Sequence, residues 1–144
     1  MQRKQDKENK DFLESVPEQA FKQALLARSR AWAPYSEFQV GAVLGFADGS
    51  LVEGVNVENA SFGATICAER SAMVSAISQQ GKREPEFLVV ATKAEPPSPP
   101  CGLCLQVLVE FCKPEMPVYL INNKGSVVIA KLRDYLPRSF TSFE

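Results

Sequence analysis

Three cysteines constrain this chain more than any other feature, because they stand where two predicted helices begin. Cys67 opens one helix, and Cys101 and Cys104 open another through a CxxC turn. A helix N-terminus presents unpaired backbone N–H groups and about half a positive charge, which favour a thiolate. Zinc binds thiolates, and the two sulfurs of a CxxC turn can reach one tetrahedral metal. The pattern therefore predicts that Cys67, Cys101 and Cys104 hold one Zn²⁺ per chain.

The absence of histidine narrows the chemistry further. None of the 144 residues is a histidine. Catalysis by Cys–His or Ser–His–Asp groups is thereby excluded, because both need an imidazole base. A proton shuttle in this chain is expected to be Asp or Glu.

The zinc site has two interpretations. A structural zinc uses four protein ligands, whereas a catalytic zinc uses three and keeps one position for water. The remaining cysteine, Cys112, lies eight residues beyond Cys104. On one helix that spacing separates their Cα atoms by roughly 12 Å, too far for a shared metal. The spacing favours the catalytic interpretation, with Cys112 as a small buried apolar residue.

Two charged residues follow Cys67. Glu69 can lean over the open face of the metal, where a carboxylate can take a proton from bound water and pass it on. Arg70 can donate hydrogen bonds to the sulfurs and draw negative charge off the three thiolates. The alternatives are a solvated helix glutamate and an exposed arginine.

Hydrophobic patterning predicts elements in the order α-β-β-α-β-α-β-β-α. This order indicates an α/β fold, a three-layer α/β/α sandwich with a mixed sheet of about five strands. Residues 15–144 are expected to form one domain behind a charged lead-in at residues 1–14, with Ser15 as the N-cap of the first helix. The strands are predicted at residues 38–46, 51–57, 87–92, 118–121 and 127–130.

The net charge of the chain is −1, which provides no general attraction to nucleic acid or to an anionic membrane. No apolar run approaches the roughly 20 residues that span a bilayer, and the N-terminus lacks an apolar signal core. We therefore expect a cytoplasmic protein with no nucleic-acid or membrane partner.

Cys67-Ala68-Glu69-Arg70 followed by Pro100-Cys101-Gly102-Leu103-Cys104 resembles the zinc-dependent cytidine deaminases, whose signature is C/H-x-E and P-C-x-x-C. The runs at residues 33–42 and 54–60, with Leu136-Pro137 and Phe140, are similar to the small free-nucleoside branch. The resemblance covers roughly residues 17–140. It implies a cytidine deaminase-like fold and hydrolysis of cytidine and 2'-deoxycytidine to uridine and 2'-deoxyuridine with release of ammonia, in pyrimidine salvage.

The resemblance also implies roles for individual residues. Glu69 would shuttle protons to N3 and to the departing amino group, and the backbone at Ala68 and Cys101 would read the base edge. Phe38 matches the aromatic that packs on the base, while Asn56 and Glu58 match the pair that grips the ribose 3'-hydroxyl. Relatives are homotetramers with active sites at subunit boundaries. Phe62 and Phe140 lie at positions where, in those relatives, a neighbouring subunit contributes aromatic side chains.

Two positions depart from the family pattern. Leu105 stands where many relatives carry Arg, and Phe62 stands where Tyr is common. The rival functions are deamination of a polynucleotide, deamination of another cytosine nucleoside such as a blasticidin-type antibiotic, and a zinc-binding interaction module without catalysis. A polynucleotide enzyme needs a basic groove that this chain lacks around its site loops, and an interaction module has no use for Glu69.

Overall fold

The structure is a computed structural model that describes residues 1–4, 6, 7, 10 and 17–143. Of the described positions before residue 11, all but Met1 are helical, and all are exposed. Ser15 and part of the predicted lead-in lie outside the described residues. Among the residues that are described, none of the helices combines the length and apolar character that crossing a bilayer requires.

Four helices and five strands follow in the predicted order. The helices are α1 (Glu18–Arg28), α2 (Ala68–Gln80), α3 (Gly102–Phe111) and the short α4 (Leu132–Tyr135). The strands are β1 (Gly41–Gly45), β2 (Leu51–Val55), β3 (Phe87–Thr92), β4 (Pro117–Asn122) and β5 (Val127–Lys131). A single 3₁₀ turn, Phe62–Ala64, interrupts the loop between β2 and α2.

The sheet has the order β2-β1-β3-β4-β5, with β3 at its centre. Only β3 and β4 are parallel, and the other neighbouring pairs are antiparallel, so the sheet is mixed as predicted. Because β1 is antiparallel to both β2 and β3, the carboxyl ends of β2 and β3 lie at the same edge. The chain after β2 leads to Cys67 and the chain after β3 leads to Cys101, so this edge collects the cysteines.

The helices cover both faces of the sheet, which confirms the three-layer sandwich. Helix α1 packs on one face through Ala20 and Ala24, against Val43, Val89 and Tyr119. On the other face α2, α3 and α4 bury a larger cluster, which comprises Ala42, Leu44, Val52, Ala72, Met73, Leu88, Val90, Leu105, Leu108, Val118, Leu120 and Leu132 among others. Strand β3 is buried along almost its whole length, as its continuous apolar run predicts.

Three predicted boundaries are wrong, and one of them is the end of β2, which was predicted at residue 57 and lies at Val55. The first strand begins at Gly41 rather than at residue 38, because the backbone of Phe38 and Val40 bonds to the side chain of Asn56 instead of to a strand. The first helix begins at Glu18, with Pro17 in the N-cap position. Proline there needs no backbone donor, so its missing N–H costs the helix nothing.

Candidate metal centre and active site

Each helix that carries the cysteines begins directly after one of them. Cys67 is the N-cap of α2 and Cys101 is the N-cap of α3, with Cys104 in the first turn. The Sγ of Cys101 accepts a hydrogen bond from the Cys104 backbone N–H at 3.5 Å. The three sulfurs lie within 4.8 Å of one another, and those of Cys67 and Cys101 are 3.7 Å apart. The fold therefore joins the two helix starts as the cysteine pattern predicts.

This sulfur spacing fits a tetrahedral metal. Thiolates at about 2.3 Å from zinc stand about 3.8 Å apart at the corners of a tetrahedron. Cys112 lies outside the cluster, at the end of α3, where only 8% of its surface is exposed. Burial raises the pKa of its thiol to about 12. Cys112 is therefore the buried apolar residue that the sequence predicted, and the cysteine cluster offers three ligands.

The surroundings favour a thiolate at Cys67. Hydrogen bonding from Cys104, followed in importance by that from Arg70, lowers the pKa of Cys67 to about 5. The Nη2 of Arg70 lies 3.7 Å from the Cys67 Sγ and also donates to the carbonyl of Thr65. Its contact with Cys67 raises the pKa of Arg70, so the guanidinium stays charged beside the sulfur. The hydrogen bond with Cys67 and burial raise the pKa of Cys104, and a metal must displace its proton.

The carboxyl group of Glu69 is buried against the sulfur cluster. Only 4% of this residue is exposed, and its Oε2 lies 3.7 Å from the Cys104 Sγ. Burial raises the pKa of Glu69, with the negative charge of Cys67 as a further cause. A carboxyl in this position can accept and return a proton beside the sulfur cluster. A solvated helix glutamate does not fit this position.

Backbone contacts fix the start of α2. Val57 and Ile66 exchange two hydrogen bonds, of 2.9 and 3.0 Å, which close the loop that leads to Cys67. The same helix lies directly on β2 at Gly54, where an added Cβ would meet the Ala72 backbone nitrogen at 2.2 Å. Only glycine permits this approach. The depth of Cys67 and Glu69 in the site therefore depends on a glycine in the adjacent strand.

Asn56 is buried, and both ends of its amide are used within the fold. Its Oδ1 accepts from the Val40 N–H and its Nδ2 donates to the Phe38 carbonyl, each at 2.8 Å. These bonds join the segment before β1 to the end of β2 and place the half-buried Phe38 beside it. These two bonds leave one N–H and one lone pair of the amide unused.

Glu58 lies in a polar recess at the end of β2. Its Oε1 accepts from the backbone N–H groups of Tyr35 and Ser36, at 2.9 and 3.0 Å, and its Oε2 accepts from the Ser36 hydroxyl. The hydroxyl bond is the main cause that lowers the pKa of Glu58. The four residues Tyr35, Ser36, Glu58 and Phe62 line a cavity of about 350 Å³ together with Thr65.

The two aromatics expected at subunit boundaries are both exposed. The ring of Phe62 is 75% exposed and lies 5.8 Å from that of Tyr35, edge to face. Phe140 is 60% exposed, contacts Phe143, and accepts a hydrogen bond from Gln106 on α3 at 2.7 Å. The structure places Phe62 at the cavity and brings Phe140 into contact with the helix of the CxxC turn.

Three residues of the site received no role from sequence reasoning: Tyr35, Ser36 and Thr65. Tyr35 and Ser36 lie in the run at residues 33–42 that resembles the family. A serine and two backbone N–H groups indicate no function from sequence alone, because their partner Glu58 is more than 20 residues away. Leu105, the first departure from the family pattern, is buried in the core, with 6% exposed. An apolar side chain at this position adds no positive charge beside the sulfurs.

Comparison with known proteins gives consistent matches. The family described as "Cytidine and deoxycytidylate deaminase zinc-binding region" matches residues 14–120. A cytidine deaminase of Halalkalibacterium halodurans is 45% identical over 121 residues, which cover 84% of this chain and 91% of the relative. One from Sporosarcina psychrophila is 44% identical over 115 residues, covering 80% and 84%. The crystal structure of cytidine deaminase from Burkholderia pseudomallei superposes with a TM-score of 0.83 at 40% identity, covering 87% of this chain and 99% of that one.

Proposed function

Because this chain belongs to the cytidine and deoxycytidylate deaminase family, we propose that it hydrolyses cytidine and 2'-deoxycytidine to uridine and 2'-deoxyuridine. Each turnover consumes one water and releases one ammonia. The observation that carries the proposal is the buried Glu69 carboxyl, whose Oε2 lies 3.7 Å from the Sγ of Cys104 in the zinc cluster. A zinc module without catalysis has no need of a buried carboxyl at this point.

Three tasks in the reaction fall to different residues: metal binding, proton transfer and neutralisation of the thiolate charge. Cys67, Cys101 and Cys104 would hold Zn²⁺, and a bound zinc would supply a water molecule acidic enough to act as the nucleophile. Glu69 would take one proton from the attacking water and pass it to N3 of the base, then take the second proton from the hydroxyl added at C4 and pass it to the amino group, which leaves as ammonia. Arg70 keeps the thiolate of Cys67 partly neutralised through its 3.7 Å contact.

The sugar and base are held on the other side of the site. Glu58 accepts a hydrogen bond from the 3'-hydroxyl through the lone pair that remains on Oε2, and the spare N–H of Asn56 adds a second contact. Phe38 packs on the base, and the backbone N–H of Ala68, at the first position of α2, contacts the edge of the base.

The exposed aromatics support a homotetramer in which a neighbouring chain completes each site. Phe62 and Phe140 present large apolar surfaces that a lone chain leaves in water. Light scattering of the purified protein should report four chains per particle, and a stable monomer with full activity would contradict the proposal. A cytoplasmic location and a role in pyrimidine salvage stay predictions, which cell fractionation and growth on cytidine would test.

The decisive experiment replaces Glu69 by glutamine, which keeps the shape of the side chain and removes its proton chemistry. Loss of a positioned acid–base group should lower kcat for cytidine by about 10²–10⁴-fold. Zinc content, measured by atomic emission, should stay at one per chain because the cysteines are intact. Glu110→Gln, an exposed change on α3, serves as the matched control. Normal turnover by Glu69→Gln would refute the mechanism.

A further inference from the structure

The turn at residues 35–38 folds around the carboxylate of Glu58. Two backbone N–H groups bind Oε1, and this oxygen has no further lone pair to offer a ligand. Among the residues that the structure describes, only the hydroxyl of Ser36 donates to Oε2. One lone pair of Oε2 is therefore open, and the direction in which it points is set by Ser36.

The hydroxyl of Ser36 has a second partner. Its Oγ accepts a hydrogen bond from the backbone N–H of Phe38 at 3.0 Å while its proton goes to Glu58. One side chain thus connects the carboxylate proposed to hold the sugar with the residue proposed to pack on the base. Removing the hydroxyl leaves both groups without this partner.

The backbone between these two contacts is in an unusual conformation. Glu37 has a φ of 55°, in the left-handed region that side chains other than glycine rarely adopt. Its carbonyl accepts a hydrogen bond from the Nζ of Lys93 at 3.1 Å, and its N–H donates to the Ala33 carbonyl. Such conformations persist where surrounding contacts hold them, and they are frequent at functional sites. The bonds of Ser36 on either side of Glu37 belong to those contacts.

We propose that Ser36 is a positioning residue that aims the free lone pair of Glu58 at the sugar 3'-hydroxyl and holds Phe38 in register with it. The inference rests on the proposed function, since it assigns Glu58 to the sugar. If Ser36 positions Glu58, loss of its hydroxyl lowers kcat/KM only for substrates that carry the 3'-hydroxyl. If Ser36 only stabilises the fold, the loss lowers kcat/KM for both kinds of substrate alike.

The test compares kcat/KM for 2'-deoxycytidine with kcat/KM for 2',3'-dideoxycytidine, which lacks the 3'-hydroxyl. In Ser36→Ala this ratio should fall about tenfold, the scale of one weakened hydrogen bond to a charged group. The loss should appear mainly in KM for 2'-deoxycytidine. Ser36→Thr, which keeps the hydroxyl at an exposed position, should retain the ratio of the wild type.

Ser50→Ala is a matched control. Ser50 donates its hydroxyl and its N–H to the carboxylate of Asp48, but at the opposite end of the β1–β2 hairpin. Its loss should leave the ratio unchanged. In a Glu58→Gln background, Ser36→Ala should lower the ratio no further, because the two residues act through one contact.

Three results would overturn the inference: an unchanged ratio in Ser36→Ala, additive losses with Glu58→Gln, or a collapsed ratio in Ser36→Thr. If the wild type deaminates neither cytidine nor 2'-deoxycytidine, the proposed function fails as well. A wild type that turns over both nucleosides but shows no dependence on Ser36 would refute this inference alone.

Discussion

Gly54→Ala should damage the site without replacing any residue that binds metal or substrate. A Cβ at this position would lie 2.2 Å from the Ala72 nitrogen and 2.5 Å from the Ala68 carbonyl oxygen, both backbone atoms of α2. Ordinary contact begins at 3.4 Å, so α2 must retreat from β2 by more than 1 Å. Overpacking of this kind lowers the free energy of unfolding by about 1–3 kcal/mol. We expect the upper end of this range because the neighbouring atoms are backbone atoms, which cannot move aside by changing rotamer.

The retreat of α2 carries Cys67 and Glu69 away from α3, which holds Cys101 and Cys104. A misplacement of about 1 Å at a reacting centre can cost about 10²-fold in rate, and we expect a loss of kcat of that order. The free energy of unfolding from urea titration should fall by about 3 kcal/mol, with weaker zinc retention on dialysis.

Gly102→Ala is the control for this experiment. Nothing lies within 4 Å of a Cβ at Gly102, and its φ is not in the left-handed region. Its unfolding free energy should equal or slightly exceed that of the wild type, because alanine favours helix over glycine. Wild-type stability and kcat in Gly54→Ala would refute the view that β2 sets the depth of α2.

Three further outcomes follow from the site. Cys104→Ala leaves two thiolates, so bound zinc should fall well below one per chain by metal analysis; a full complement would show that the ligand set is wrong. Arg70→Gln should lower kcat about tenfold or more with zinc retained, because a charged hydrogen bond to Cys67 is lost; unchanged kinetics would place the guanidinium outside the mechanism. The lowered pKa of Glu58, caused first by the Ser36 hydroxyl, keeps its carboxylate ionised below the usual value of 4.5. Its contribution is therefore present above that pH and lost as pH falls through the lower folded pKa. The ratio of kcat/KM for 2'-deoxycytidine to that for 2',3'-dideoxycytidine, in which the titration of Glu69 and of the cysteines cancels, should therefore stay constant down to pH 4.5 and fall only below it. A fall that begins at higher pH would contradict the assignment.

The glycines show where prediction from sequence stops. Gly102 lies in the CxxC turn, where a glycine usually indicates a tight backbone, yet the space around it is open and its backbone is ordinary. Gly54, which lies in a strand, is the glycine that the site requires. Its need arises from Ala68 and Ala72, more than a dozen residues away, and the local sequence contains no sign of that contact.

The role of Asn56 also depends on contacts that are distant in the sequence. Apart from the family resemblance, an asparagine that follows a strand is typical of a turn. The structure shows a buried amide whose two bonds anchor the chain before β1, and this also explains why β1 begins at Gly41. A side chain that replaces strand pairing can be recognised only when its partners, here Phe38 and Val40, are known.

The sequence by itself determined the three-layer α/β fold, the order of its elements and the three cysteines of the zinc cluster. These follow from local causes: hydrophobic periodicity selects the elements, and a helix N-terminus favours the thiolate of a cysteine placed there. Only the tertiary structure decided that Glu69 is buried 3.7 Å from Cys104 and that Ser36 binds Glu58. Those contacts join residues more than 20 positions apart, and the packing of helices and loops on the sheet, which no local pattern records, sets their distances.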